Sequence, residues 1–256
     1  MNWNIHHRSE TESTQRDARG GVHGDVFTAD FQTAGRGRLD HKWLSPPGTN
    51  LMMSVVLSVD GLVPEHVSTL PLVAGLAASK ALSEMVGRSV PDCCGAQGTA
   101  RPTVQLKWPN DVLIDGKKIA GILCERQDDN VIVGIGINVN QTEFPPEIAK
   151  RATSLVLMEV EKRRPRRFKE SPVLLARDTI LAELDRQYSL WRRDGFAAVY
   201  PEIAALDCLK GREISVRQTD GDAAPLVGVS NGIMPDGSLD VGGTKVYAGE
   251  AHVEKI

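Results

Sequence analysis

A chain of 256 residues, 41% hydrophobic and 25% charged, has room for one large domain, or a large and a small one, with a buried core. Its formal net charge of −3 excludes a whole-protein basic face for nucleic acid or for a membrane surface. No apolar run approaches the roughly 20 residues of a membrane helix, and the opening MNWNIHHRSETEST lacks the layout of a signal peptide, so a cytoplasmic location is expected.

Taken in chain order, Val22 to Thr33 is a short alternating apolar run that ends in the Gly-rich turn TAGRGRLD. Leu51 to Val59 (LMMSVVLSV) reads as a buried strand. Between Thr69 and Val86 the apolar residues Val73, Leu76, Ala77, Ala81, Leu82 and Met85 follow helical spacing, with Thr69 as the expected cap and Pro71 in the first turn. Pro91 to Pro102 is a polar, Gly-rich loop holding Cys93 and Cys94, which read as thiols without chemistry. Cys124 and Cys208 complete the cysteines, and with no C-x-x-C pair no metal site is expected.

Three strand-like runs follow at Thr103 to Trp108, Lys118 to Glu125 and Val131 to Val139. The last, VIVGIGINV, is apolar on both faces, as a central strand would be, and its two glycines mark a close approach of another group. Lys162 to Lys169 (KRRPRRFK) is a basic run, read as a solvated linker or a docking patch for an acidic partner. Ser171 and Pro172 open a long helix with Leu174, Ile180, Leu181, Leu184, Tyr188 and Trp191 on its apolar face and Gly195 at its end. From Gly211 onward, short β-like pieces alternate with turn signals such as TDGD, PDG and GG, which predicts a small antiparallel barrel. The chain is therefore expected to be α+β in two parts, 1–205 and 206–256.

Two segments carry chemistry. In QTAGRGRLDHKW (residues 32–43), Gly35 and Gly37 flank Arg36 and Arg38 follows. Glycine lets such a loop bend around an anion, and the arginines supply charge and bidentate forks, although an exposed basic hairpin has the same composition. Trp43 offers a flat face to stack on a purine or to close a lid. Neither GxxxxGK[ST] nor GxGxxG is present, so a nucleotide would not use those cradles. In KWPNDVLIDGKKIAGILCE (residues 107–125), Asn110 and Asp111 suit a cation–phosphate cluster or a plain turn. Lys117 or Lys118 suits a carboxylate held against a phosphate, and Ala120 and Gly121 leave room beside their strand.

Together these segments resemble the biotin–protein ligase family. The resemblance rests on Ser13-Thr14, QTAGRGR with Trp43, SPPGTNLMMS, KWPND, KKIAGIL and VIVGIGINVN, in the family's order. It continues more weakly through RATSL, the helix ending in WRRDGF and the C-terminal β-pieces, so that nearly the whole chain is covered. Two departures stand out. Gln15 takes the place of the family's usual Asn, and Leu39-Asp40-His41 replaces a run richer in Arg and Gly.

The resemblance implies a catalytic domain akin to class II aminoacyl-tRNA synthetases and an SH3-like C-terminal domain. It implies ATP and biotin as substrates, with Mg2+ arriving on the phosphates, and a biotin carboxyl carrier protein or domain as acceptor. Biotin would be held by Ser13, Thr14, Gln15, Gln32, Arg36, Gly37, Arg38, Lys118 and Gly121. Arg36, Arg38, Trp43, Asn110, Lys118 and Asn138 would face ATP, with Lys118, Arg36 and Arg38 carrying the catalysis. A lipoate or octanoate ligase is the nearest rival, but it would want an apolar channel where this chain has Ser13 and Thr14. Only about a dozen residues precede Ser13, too few for a helix-turn-helix, so neither repressor function nor a nucleic-acid partner is expected. A monomer or homodimer is expected.

Overall fold

The computed structural model describes residues 1–39, 41–88, 103–161, 171–218 and 224–253. The Pro91–Pro102 loop with Cys93 and Cys94, the basic run Lys162–Lys169, the TDGD turn and Asp40 lie outside the described residues.

The strands, in chain order, are β1 (Asn4–Thr11), β2 (Asp25–Gln32), β3 (Leu51–Ser58), β4 (Val104–Lys107), β5 (Asp111–Ile114), β6 (Lys117–Gln127), β7 (Asn130–Ile137), β8 (Glu213–Arg217), β9 (Leu226–Ile233), β10 (Leu239–Val241), β11 (Thr244–Val246) and β12 (Glu250–Val253). The helices are α1 (Thr14–Asp17), α2 (Pro64–Val67), α3 (Leu70–Arg88), α4 (Leu155–Glu161), α5 (Pro172–Asp194) and α6 (Tyr200–Leu206). Seven strands form a mixed sheet in the order β1-β2-β3-β7-β6-β5-β4, in which β1 and β2 are parallel and the remaining pairs antiparallel. The architecture is α+β.

The apolar runs behave as their periodicity predicts. β7 sits in the middle of the sheet between β3 and β6. Side chains alternate across a strand, so Met53, Val55, Val133 and Ile135 share the large core with Leu76, Leu82, Leu184 and Trp191 of α3 and α5. The opposite face carries Val56 and Ile132, covered by Ala18 and Phe27 beside α1. Ser54 and Gly134, directly paired, lie on that second face, and it is there that a cavity opens.

Two strands escape a search for hydrophobic runs. β1, NIHHRSET, is nearly all exposed and stands at the edge of the sheet, where polarity costs little. β5 grows directly out of the KWPND turn and pairs with β6 through the Asp115-Gly116 turn, whose φ values of 49° and 77° suit Asp-Gly.

Four expectations need correction. Thr69 does not cap α3 with its side chain. Its hydroxyl donates to the His66 carbonyl at 2.7 Å and accepts the Trp191 indole N–H at 2.9 Å. Ser171 makes no side-chain capping bond to α5, which starts on Pro172 instead. Leu174 is 48% exposed, because the buried stripe of α5 begins one turn in, at Ala176. The C-terminal pieces form a five-stranded antiparallel sheet, β11-β10-β9-β8-β12, and its edge strands β11 and β12 are not paired with each other, so no closed barrel is formed among the described residues.

The two sheets are tied together. The buried Trp108 donates its indole N–H to the Gly237 carbonyl at 3.1 Å, and the Cys208 amide donates to the Leu106 carbonyl at 2.9 Å. Asp207 accepts the backbone N–H groups of Leu209 and Ile233, each at 2.9 Å, while burial pushes its carboxyl above the usual range.

Candidate active site

On the α1 face of the mixed sheet lies a cavity of about 740 Å3. All twelve residues singled out from the sequence line it, from Ser13 at the start of α1 to Asn138 just past β7.

Its inner end is neutral and rich in hydrogen bonds. The Thr14 hydroxyl lies 2.9 Å from that of Ser54, which donates to Gln15 Oε1 at 3.1 Å. Gln15 Nε2 donates to the Ile132 carbonyl at 3.1 Å, and the Thr14 backbone N–H donates to Gln32 Oε1 at 2.7 Å. Gln15, longer by a methylene than asparagine, uses that length to span from α1 to β7. Gly134 makes this possible, since a Cβ there would lie 2.7 Å from Gln15 Oε1.

Farther out, the Gly35–Trp43 segment folds back as a hairpin. Its ties are Trp43 N–H to the Gly35 carbonyl at 3.0 Å and Gly37 N–H to the His41 carbonyl at 2.7 Å, with Leu39 in the left-handed region at φ 50°. The hairpin lays the Trp43 indole on the floor of the cavity. A Cβ on Gly136 would lie 2.5 Å from its ring, so the two glycines of VIVGIGINV open space for Gln15 and for Trp43 respectively. The indole Nε1 is buried without a hydrogen-bond partner.

Three cations surround this floor. Lys118 Nζ lies 2.7 Å from Asp111 Oδ1 and 5.9 Å from the Trp43 ring centroid. Arg38 donates to the Gly249 carbonyl at 3.2 Å and to Asn110 Oδ1 at 3.4 Å, and Asn110 in turn donates to the Ile122 carbonyl at 2.7 Å. Burial lowers the pKa of the Arg38 guanidinium, and the nearby carboxylates of Asp111 and Glu250 oppose that shift. Arg36 is half exposed and pairs with Glu125 at 3.0 Å. Asn138 is buried and donates to the Thr153 carbonyl at 3.0 Å. Burial pushes the Cys124 thiol up to about 12, which leaves it protonated and without nucleophilic character.

The sequence reading missed part of the lining. Ser54 is a polar residue in the middle of the apolar run LMMSVVLSV, and that break was its signal. Ile148, Arg151 and Ala152 come from the segment before α4, while Arg212, Glu250 and His252 come from the second sheet. Arg151 and Ala152 open the RATSL stretch, which carried only a weak resemblance and no assigned role, and nothing in the local sequence of the other four announces a site. The first sheet is held to the 138–154 segment by a further buried network, in which Asn50 Nδ2 donates to Gln141 Oε1 at 2.6 Å and Ser154 Oγ to the Gln141 carbonyl at 2.6 Å.

Hydrogen-bonding groups for a neutral ring at one end and clustered cations at the other suit a ligand that carries or acquires negative charge. Known proteins share this sequence pattern. The profile of the Biotin/lipoate A/B protein ligase family matches residues 13–141. The chain belongs to that family.

Within the family, the chain is 31% identical to the biotin--[acetyl-CoA-carboxylase] ligase of Mycobacterium tuberculosis over 238 residues, 91% of this chain and 79% of that protein. It is 40% identical to the bifunctional ligase/repressor BirA of Bacillus subtilis over 147 residues, 54% of this chain, and the match spans 40% of the length of that relative. In structure it is similar to the biotin protein ligase from Aquifex aeolicus in complex with biotin and ATP, with TM-score 0.78, 29% identity and 99% of each chain covered. The Leishmania major biotin protein ligase in complex with biotinyl-5-AMP superposes with TM-score 0.66 and 27% identity over 99% of each chain. Among the described residues no helix is long and apolar enough to cross a membrane.

Proposed function

We propose that this chain is a biotin–protein ligase: it activates biotin with ATP and passes it to a lysine of a biotin carboxyl carrier domain of a biotin-dependent carboxylase. The observation that carries this reading is one cavity in which Thr14 and Gln32 meet Arg36, Arg38 and Lys118. In the first step a biotin carboxylate oxygen attacks the α-phosphorus, the bond to pyrophosphate breaks, and biotinyl-5′-adenylate forms. In the second a lysine amine attacks the acyl carbon, AMP leaves with the electron pair of the broken C–O bond, and the surplus proton passes to solvent.

Both steps gather anions or build charge on oxygen, so fixed positive groups serve them better than a protein nucleophile. Lys118 is assigned to the carboxylate and the α-phosphate, as a compact point charge able to serve both. Arg36 and Arg38 neutralise phosphates and, on the hairpin, keep water from the adenylate. Ser13, Thr14, Gln15 and Gln32 take the neutral ureido end of biotin, with Gly37 and Gly121 beside it. Trp43, Asn110 and Asn138 take the nucleotide side. Mg2+ would come with the ATP phosphates, and the side-chain oxygens of Asn110 and Asp111, which line the cavity, are hard donors of the kind that would help to hold it.

On this reading residues 1–205 form a class II synthetase-like catalytic domain and 206–256 an SH3-like one, in a cytoplasmic monomer or homodimer. The test is direct: incubate the protein with ATP, Mg2+, labelled biotin and a carrier domain. Label that survives denaturation of the carrier is the expected result, and its absence overturns the reading.

A further inference from the structure

A second hollow borders the Gly35–Trp43 hairpin and overlaps the first along it. This groove, of about 1010 Å3, shares Arg36, Arg38 and Trp43 with the first cavity, but Phe31, Ala34, Glu125 and Glu143 line it alone. We infer that the groove is the path by which the acceptor lysine, with the segment that bears it, reaches the acyl centre; this rests on the ligase reading above.

The second half-reaction needs a tethered amine to reach a centre whose own cavity is filled by adenylate. An approach that runs along the same hairpin and joins that cavity meets the need. Its chemistry matches a lysine side chain, which is an apolar stem ending in an ammonium. Phe31, Phe144 and Leu44 offer the apolar wall, and Glu125 and Glu143 set carboxylates among the groove's cations Arg36, Arg38 and Lys42. Leu39 at 46% and Leu44 at 62% exposure stand where the groove meets the first cavity, and a docked segment would cover them.

The Arg36–Glu125 pair links the two hollows. Glu125 holds Arg36 at 3.0 Å. When Arg36 turns to a ligand phosphate, the Glu125 carboxylate becomes available to the incoming ammonium, so that formation of the intermediate prepares the receiving side.

The test uses the full chain carrying Ala34→Arg or Glu143→Lys, at two exposed positions that face the groove and not the first cavity. Each substitution sets a cation where the ammonium must pass. The expected result in each is a KM for the carrier domain raised at least about tenfold, while pyrophosphate release from ATP and biotin without carrier stays within about twofold. Capture of the intermediate by hydroxylamine, which needs no docking, should run at the wild-type rate and so exclude misfolding. An unchanged carrier KM in both variants overturns the inference, as does a parallel loss of pyrophosphate release. Sedimentation of the wild type as a dimer that Ala34→Arg dissociates also overturns it, since a second copy would then cover the groove. If the wild type releases no pyrophosphate with biotin, the ligase reading itself has failed, and the inference with it.

Discussion

Gly134 and Gly136 stand on the same strand and the same face, yet replacing each by alanine should have opposite signatures. At Gly134 the new methyl would lie 2.7 Å from Gln15 Oε1. Gln15 is 3% exposed and fixed at both ends, to Ile132 and to Ser54, so it has nowhere to move. Overpacking of this kind costs about 1–3 kcal/mol, and the loss of unfolded-chain entropy on replacing glycine returns about 0.4–1 kcal/mol. The net is a loss of up to about 2.6 kcal/mol, which at roughly 2–4 °C per kcal/mol lowers Tm by up to about 10 °C. At Gly136 the methyl would meet the Trp43 indole at 2.5 Å, but that ring belongs to a hairpin and can swing away. Stability should then hardly change, whereas the stabilisation of the wild type by biotin and ATP, about 2.7 kcal/mol at a hundred times Kd, should shrink. Thermal unfolding of both variants with and without the two ligands reads both quantities. The same loss of Tm in both, or a Gly136→Ala protein that keeps its full ligand shift, would refute the division of the sheet floor between Gln15 and Trp43.

Lys118→Ala should slow adenylate formation by roughly 100-fold or more, the effect of losing about 2.7–4 kcal/mol of preorganised charge stabilisation, and near-normal pyrophosphate release would remove Lys118 from its role. Arg36→Ala should let activated biotin leak into water, and equal retention of adenylate by mutant and wild type would count against the hairpin as a lid. Asp236 gives a pH test. Burial opposes its ionisation, but Lys245 and Ser238 hold its carboxyl down at about 2, from an ordinary 3.8. A carboxyl depressed in the folded state contributes stability above the unfolded pKa and loses it as pH falls through the folded one, so Tm should fall between about pH 4 and 2. Asp236→Asn should flatten that part of the profile, and a wild-type Tm independent of pH across this window would contradict the pairing. Titration calorimetry should show binding of biotin and none of lipoate; the reverse would move the chain to the other activity named by its family.

What could be read in advance follows a physical rule. β3, β7, α3 and the later part of α5 were legible because each buries an apolar stripe or run against one core, and burial imposes its period on the sequence. β1 was not, because an exposed edge strand has no buried face to impose one. β5 was hidden by its four-residue length and by the turn motif that begins it. The caps failed at Thr69 and Ser171 because their hydroxyls had tertiary or solvent alternatives that local pattern does not encode. The site shows the same split. Arg36, Arg38, Asn110 and Lys118 stand in compact motifs, whereas Arg212 and Glu250 reach the cavity only through the docking of the second sheet, held by Trp108 and Asp207.

The geometry of the cations bears on how the site handles its own charge. Lys118 is already paired with Asp111, and Arg36 with Glu125, while Arg38 rests on a carbonyl and an amide oxygen. Three positive groups brought together around one hollow would otherwise repel one another and destabilise the fold. Protein acceptors in their place keep them near their working positions, at a cost to ligand affinity, because each ligand anion must displace a partner and does not meet a bare charge. The gain lies in the transition state. Side chains fixed beforehand need no reorganisation when charge develops on the acyl and phosphoryl oxygens. Removing Asp111 should therefore not free Lys118 for better catalysis but let it wander, so Asp111→Ala is expected to lower the rate of adenylate formation even though it deletes a competitor for the lysine. A rate at or above wild type, measured as pyrophosphate release at saturating ATP and biotin, would show that Asp111 is only a competitor and not a guide.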